Sequence, residues 1–211
     1  MDDGCAEGET PGEGSRALLD GTLRAAVDGD GDAFGRLWTA LAPSVAAYFR
    51  AHAVDESDDL TSEVFLAAFQ ALSRNIDSFA QFKGLVFRIA HRRYVDWVRR
   101  RVRRGGSVPY DPALDDRCTV SAEEGAAELL GSRRALALLD LLTPDQRQVI
   151  ALRVFGDLGL QQTAEVLGRD VGTVKSLQHR GLARLRRRLD EESSGKPYPE
   201  RALVRWKTRH A

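Results

Sequence analysis

The chain has 211 residues, with 31 basic and 31 acidic side chains and therefore a formal net charge of zero. This length allows one or two domains with a hydrophobic core, and the neutral charge argues against indiscriminate nucleic-acid binding. No apolar run is long enough to span a membrane, and the two cysteines, Cys5 and Cys118, suggest no disulfide framework. We therefore expect a cytoplasmic protein without a membrane contact of its own.

The N-terminal part begins with an acidic segment, residues 1–17, which is rich in glycine and should be disordered. A short helix is predicted over Leu18–Val27. Either Asp30 or Asp32 can cap the helix that follows, and Pro43 should kink or restart that helix.

The third predicted helix is capped by Ser57 and carries acidic residues on its outer face. These are Asp58 and Asp59 in the first turn, and then Glu63. Acidic side chains are favourable near a helix N-terminus, so stability alone could explain them. A loop over Ser73–Gln81 should then lead to the next helix.

The fourth predicted helix, Phe82–Arg104, combines an apolar stripe with an almost wholly basic second half. Arg88, Arg92 and Arg99 lie together on one flank of the stripe. A solvated helix usually alternates the sign of its charges. The one-signed charge therefore favours a surface that binds a polyanion.

The C-terminal part contains a helix-turn-helix pattern. Thr143-Pro144-Asp145-Gln146 predicts a capped helix that buries Val149, Ile150, Leu152 and Val154. The following short helix, Leu160–Leu167, leads through the turn Gly168-Arg169-Asp170 into a basic helix, Val171–Leu189.

No segment is typical of a β-strand, so we predict an all-α fold with two small helical domains. The first domain should cover residues 18–104 and the second residues 126–192. A linker rich in glycine and proline, residues 105–125, should join them, and residues 193–211 should form a flexible basic tail.

Enzymatic sites are not indicated. Asp28-Gly-Asp30-Gly-Asp32 resembles the start of a calcium loop, but Ala33 and Thr39 occupy the positions that require glycine and glutamate. The histidines lack ligand spacing, and no P-loop or nucleophile elbow is present. We therefore expect no catalytic residue, metal site or cofactor.

Four motifs in order resemble a bacterial RNA polymerase sigma factor of the extracytoplasmic-function (ECF) subfamily. They are Asp59-Leu60-x-x-Glu63-Val64-Phe65-Leu66, Phe87-Arg88-Ile89-Ala90 with Asp96, Leu142-x-Pro144-x-Gln146-Arg147, and Gly172-Thr173-Val174-Lys175-Ser176. The resemblance covers about Leu18–Leu189. It implies a helix bundle like sigma region 2, a helix-turn-helix domain like sigma region 4, and a specificity subunit without catalysis.

The resemblance also implies site residues and partners. The clamp helices of the largest polymerase subunit would meet Asp58, Asp59, Leu60, Ser62 and Glu63. The single-stranded minus-ten element would meet Arg88, His91, Arg92, Val95, Arg99, Arg100 and Arg103. The minus-thirty-five element would meet Thr173, Lys175, Ser176, His179, Arg180 and Arg184. The flap of the second-largest subunit and an anti-sigma factor are further implied partners.

The sequence departs from the family pattern near the minus-ten element. Leu85 stands where tryptophan is usual, His91-Arg92 replaces a common Arg-Asn, and the segment between Phe79 and Phe82 is short. An alternative function is a helix-turn-helix regulator that acts without core polymerase. Such a regulator would have no reason to carry the third and fourth helices.

Overall fold

The regular elements are all α-helices over the residues that the structure, a computed structural model, describes: 13–73, 75–103 and 135–194. The helices are α1 (Glu13–Val27), α2 (Gly31–Ala51), α3 (Ser57–Gln70), α4 (Phe79–Arg103), α5 (Pro144–Val154), α6 (Leu160–Leu167) and α7 (Val171–Ser193). A further helical turn covers residues 135–139. The all-α prediction is confirmed.

The N-terminal helices differ from prediction mainly at their ends. Helix α1 begins at Glu13, so residues 13–17 are helical rather than disordered, and residues 1–12 lie outside the described part. Asp30 is the cap of α2, because its carboxylate accepts from the backbone nitrogens of Asp32 and Ala33 at 2.8 and 3.2 Å. Pro43 lies inside α2, which remains helical on both sides of it.

Two helix starts were placed wrongly. Ser57 is the first residue of α3 instead of its cap, and Glu56 in the cap position makes no side-chain capping bond. Helix α4 begins at Phe79 instead of Phe82. The Ser78 hydroxyl accepts from the Gln81 nitrogen at 3.3 Å, which starts the helix a turn early and leaves no loop between Phe79 and Phe82.

The helix-turn-helix has the predicted local structure. Thr143 and Gln146 form a reciprocal capping box at the start of α5, as expected from their spacing. Gly168 ends α6 in a left-handed conformation (φ 61°), and Asp170 caps α7. Helix α7 continues to Ser193, beyond the predicted end at Leu189.

One predicted core residue of α5 is on the surface. Val154 is 61% exposed, whereas Leu158 beyond the end of the helix is fully buried. The chain turns at Gly156 and brings Leu158 into the core, so the last helical residue does not need to fill that space. The other three predicted apolar residues of α5, Val149, Ile150 and Leu152, are buried.

The main hydrophobic core runs through both halves of the chain. In the N-terminal half, the largest fully buried side chains are those of Tyr48, Phe49, Phe65, Phe82 and Phe87. The same cluster continues into Leu139, Leu142, Ile150, Ala151, Leu152 and Leu158. A smaller cluster of Val149, Ala164, Val174 and Leu177 holds the helix-turn-helix together.

The predicted linker, residues 105–125, lies outside the described residues, as does the tail from residue 195 onward. Leu129 and Leu130, placed in the first helix of the second domain, also lie outside them. Among the helices that can be described, none combines the length and the hydropathy needed to cross a membrane.

Candidate protein and nucleic-acid interfaces

The first candidate surface is the acidic face of α3, formed by Asp58, Asp59, Ser62 and Glu63. All four residues are exposed, because the opposite side of α3 is buried through Leu60, Thr61, Val64 and Phe65. Leu60 is only 2% exposed. Its side chain therefore packs inward and fixes α3 from the inside, and its contact with polymerase stays a prediction.

A cleft between α2 and α3 lies beside the acidic face. It has a volume of about 400 Å³ and is lined by Trp38, Thr39, Ala42, Pro43, Ala46, Arg50, Asp58, Thr61 and Ser62. Asp58 and Ser62 thus belong both to the acidic face and to the cleft. The cleft was not predicted from the sequence, because its lining combines residues of two helices whose relative position depends on packing.

The second candidate surface is the basic face of α4, formed by Arg88, Arg92, Arg99, Arg100 and Arg103. All five are exposed. Arg88 lies 3.8 Å from Glu165 of α6, and Arg99 lies 3.5 Å from Asp96 one turn away. Exposed pairs at these distances contribute little to stability, so most of this positive charge is available to a ligand.

The two other residues predicted to meet the minus-ten element are less accessible. His91 is half-buried, and its Nδ1 shares a hydrogen bond of 3.0 Å with the Tyr48 hydroxyl. Burial lowers the pKa of His91. Its ring nitrogen therefore faces α2 rather than solvent. Val95 is also half-buried.

Arg101, in the same basic run, is bound internally. Its guanidinium lies 2.6 Å from the Asp55 carboxylate and 5.0 Å from the centre of the Trp97 ring. The side chain is only 20% exposed. Arg101 therefore ties α4 to the α2–α3 loop, and a run of arginines alone could not have shown this difference.

A buried polar cluster lies behind the basic face, where α2 meets α4. His52 Nδ1 donates to the Tyr48 carbonyl at 2.8 Å, and the centre of its ring lies 4.4 Å from that of the Tyr94 ring. Burial is the main reason that the pKa of His52 falls to about 4. The nearby Arg147 of α5 lowers the pKa further, so His52 is neutral at physiological pH.

Helix α4 also contacts α6 and the loop before it. The Lys83 ammonium donates to both the backbone carbonyl and the carboxylate of Asp157, at 2.9 Å each. The Gln162 amide donates to the Ala80 carbonyl at 3.1 Å. We call these two residue pairs, with Arg88 and Glu165, the α4–α6 contact. It places the helix-turn-helix beside the basic face.

The third candidate surface is the outer face of α7. Lys175, Ser176, His179, Arg180 and Arg184 are exposed, whereas Val174 and Leu177 are buried on the opposite side. The close approach of α7 to α5 occurs at Gly181, where a β-carbon would lie 3.3 Å from Ile150. This packing directs the five polar side chains away from the rest of the protein.

Thr173, the sixth predicted residue of this surface, is part of the cap of α7. Its backbone nitrogen donates to Asp170 Oδ1 at 2.7 Å, and its hydroxyl donates to Asp170 Oδ2. These hydrogen bonds lower the pKa of Asp170. Thr173 is thus half-buried and already bonded, in contrast to the five exposed residues.

Comparison with known proteins identifies both halves. The family described as "Sigma-70 region 2" matches residues 32–104, and the family described as "Sigma-70, region 4" matches residues 132–185. A helix bundle and a helix-turn-helix with these matches define a transcription initiation factor of the sigma-70 class.

Relatives with similar sequences carry more specific names. The chain is 33% identical over 176 residues to "ECF RNA polymerase sigma factor SigD" of Mycobacterium tuberculosis (strain ATCC 25618 / H37Rv), covering 80% of this chain and 82% of the relative. It is also 33% identical over 180 residues to "ECF RNA polymerase sigma factor ShbA" of Streptomyces griseus, covering 80% of this chain and 94% of the relative.

A solved structure, that of CnrH in complex with the cytosolic domain of CnrY, shares the fold. The TM-score is 0.57 at 24% sequence identity, with 81% of this chain and 96% of CnrH covered. The chain belongs to the ECF RNA polymerase sigma factors. Its function is therefore that of a sigma factor, which directs RNA polymerase in transcription initiation.

Proposed function

We propose that this sigma factor meets core RNA polymerase through the acidic face of α3 and promoter DNA through two basic surfaces. The observation that supports this most is the separation of exposed charge. Asp58, Asp59 and Glu63 lie together on α3, whereas exposed arginines cluster on α4 and on the outer face of α7. A chain with zero net charge can in this way offer surfaces of opposite sign to different partners.

The contact with core polymerase would be made by Asp58, Asp59, Ser62 and Glu63 on the clamp helices of the largest subunit. Leu60 and the buried side of α3 hold these side chains in place. The cleft beside Trp38 would accept an apolar side chain of the same partner. The C-terminal half would contact the flap of the second-largest subunit.

The minus-ten element would bind along the basic face of α4. Arg92, Arg99, Arg100 and Arg103 would contact phosphates of the separated strand, and such contacts make binding sensitive to salt. Arg88 would join them once its pairing with Glu165 is broken. His91 and Val95 would support this surface from its inner edge.

The minus-thirty-five element would be read by α7 in the major groove. The exposed side chains of Lys175, Ser176, His179 and Arg180 would reach base edges or phosphates, and Arg184 would reach the backbone. Thr173 would act by fixing the first turn of the helix through Asp170.

The protein would work in the cytoplasm as a specificity subunit, with no catalytic step of its own, at a restricted set of promoters. An anti-sigma factor is a further proposed partner. It would compete with core polymerase for the acidic face of α3.

Reconstitution with core polymerase tests the proposal. The purified chain should comigrate with core polymerase and direct run-off transcription from selected promoters. Asp59→Arg or Glu63→Arg should weaken core binding by reversing charge on the acidic face. Asp28→Arg, which changes an exposed acid outside that face, is the matched control.

The alternative function predicts a different result. A helix-turn-helix regulator would bind promoter duplex by itself and would not associate with core polymerase. That outcome would overturn the proposal, and equal core affinity of Asp59→Arg and the wild type would remove α3 as the docking surface.

A further inference from the structure

The start of α4 is held by a residue from another helix. The backbone nitrogen of Phe79, the first residue of α4, donates to Asp20 Oδ1 of α1 at 2.6 Å. The first nitrogens of any α-helix have no partner within the helix. Asp20 therefore supplies, from 59 residues away, an acceptor that α4 lacks.

Asp20 is held rigidly enough to act in this way. Leu23 and Ala26 on the same helix are 0% and 2% exposed and anchor α1 in the main core. Helix α1 packs against both α2 and α4. Asp20 itself lies outside residues 32–104, the part that matches sigma region 2.

The segment that Asp20 holds runs from the end of α3 at Gln70 to the start of α4 at Phe79, and it is short and fixed at both ends. Helix α3 ends at Gln70, where Phe69 stacks on Phe82 of α4 with ring centres 6.1 Å apart. At the other end, Ser78 caps α4, and the Gln81 side chain accepts from the Asp77 nitrogen at 2.8 Å. The Asp20 bond joins the end of this segment to α1, and the Gln162 amide of α6 reaches the next residue of α4 through the Ala80 carbonyl at 3.1 Å.

We propose that Asp20 is a positioning residue for the opening of the minus-ten element. This inference rests on the proposed function, in which α4 and the segment before it hold the separated strand. Asp20 fixes the first turn of α4, so that the basic face and the preceding segment keep one geometry before DNA arrives. Preorganisation of this kind lowers the entropic cost of capturing a flexible strand.

Two substitutions separate the hydrogen bond from the charge. Asp20→Asn keeps an oxygen acceptor for the Phe79 nitrogen, whereas Asp20→Ala removes it. Asp28→Ala removes an exposed carboxylate just beyond the end of α1, whereas the carboxylate that bonds to the Phe79 nitrogen is that of Asp20. It therefore controls for a general change in charge.

Three measurements test the proposal. Two are made on holoenzyme: the affinity for a fluorescent single-stranded oligonucleotide carrying the minus-ten element of a selected promoter, and the affinity for a minus-thirty-five duplex. The third is the affinity of the free chain for core polymerase. Asp20→Ala should weaken strand binding about fivefold, the effect expected for loss of a helix cap. The other two affinities should be unchanged, and Asp20→Asn and Asp28→Ala should resemble the wild type.

Other outcomes have distinct meanings. Wild-type strand affinity in Asp20→Ala would overturn the positioning role. An equal loss of all three affinities, with a lower melting temperature, would show that Asp20 serves only the fold and would also overturn it. Failure of the wild type to bind core polymerase would instead overturn the proposed function, and with it the role of Asp20.

Discussion

His52 is a buried base that stays neutral in the folded protein. It lies at 5% exposure among Tyr48, Tyr94 and His91, with Arg147 on the adjoining helix α5. Its pKa falls from the ordinary 6.5 to about 4, mainly because burial disfavours the charged ring. The unfolded chain therefore binds more protons than the folded chain between those two values.

The free energy of unfolding should consequently fall as the pH drops below about 6.5. The loss continues until the pH reaches the folded pKa, and it should amount to about 2 kcal/mol between pH 7.5 and pH 5. Urea unfolding at the two pH values measures this loss. His52→Gln should show a smaller difference, while His179→Ala, which changes an exposed histidine, should keep the wild-type difference. Identical pH dependence in all three proteins would contradict the assignment.

Arg180 is the residue of α7 on which the proposed reading of DNA depends most directly. It is exposed at the centre of the outer face, and Arg180→Ala should weaken binding to a minus-thirty-five duplex by about 1–3 kcal/mol. Arg24→Ala is the control, because Arg24 is also an exposed arginine but lies on α1, outside the outer face of α7. Footprinting with holoenzyme compares the two variants. Equal occupancy would remove Arg180 from the residues that read DNA.

At the scale of the elements, the described glycine with the least room for a side chain is Gly156, which follows α5. A β-carbon there would lie 2.6 Å from the Leu152 carbonyl, 3.2 Å from Leu158 and 3.3 Å from Phe87 of α4. The backbone carbonyl cannot move away without disturbing α5. Gly156 therefore allows α4 and the end of α5 to pack together.

Gly156→Ala should destabilise the protein by about 1–3 kcal/mol, the usual range for forced overpacking. Gly35→Ala is the opposite case, since nothing lies within 4 Å of its β-carbon position on α2. That substitution should stabilise by about 0.5–1 kcal/mol, because glycine is unfavourable inside a helix. Thermal unfolding of both variants tests the pair, and a stabilised Gly156→Ala would show that the turn can relax.

Local signals predicted the elements well where the stabilising partner is close in sequence. The capping box of Thr143 and Gln146 and the cap at Asp30 join residues two or three positions apart. The start of α4 could not be predicted in full, because Asp20 is 59 residues from Phe79. Nor could the sequence separate Arg101, which pairs with Asp55, from the exposed arginines beside it.

The exposed residues of the acidic face and of α7 could be proposed from sequence, because helical spacing assigns residues to faces. Leu60 and His91 show the limit of that approach. Both belong to motifs that resemble known contact residues, yet Leu60 is buried and His91 bonds to Tyr48. A motif identifies a position, whereas the direction of the side chain depends on packing between helices.

At the scale of the whole molecule, the α4–α6 contact brings the helix-turn-helix against the basic face. Lys83 is central to it, with 15% of its side chain exposed and two acceptors on Asp157. Asp157 itself has a left-handed backbone (φ 44°), which turns its carbonyl and carboxylate toward the same ammonium group. Loss of Lys83 should therefore loosen the arrangement of the two halves.

Lys83→Ala should weaken the contact by about 1–2 kcal/mol, or roughly tenfold in the equilibrium constant between associated and separated halves. Small-angle scattering of the full chain should then give a larger radius of gyration. Arg36→Ala removes a more exposed ion pair, with Asp30, and should leave the radius unchanged. An unchanged radius for Lys83→Ala would mean that apolar packing alone keeps the halves together.

The shared core also has a consequence for synthesis on the ribosome. Helices α1–α4 leave the ribosome first, but part of their core is completed by Leu142, Ile150, Leu152 and Leu158. Until those residues emerge, the surface around Phe87 and His52 has no covering helix from the C-terminal half. The nascent N-terminal half should therefore pass through a stage in which apolar surface is exposed, and its final stability is acquired only when α5 has been made.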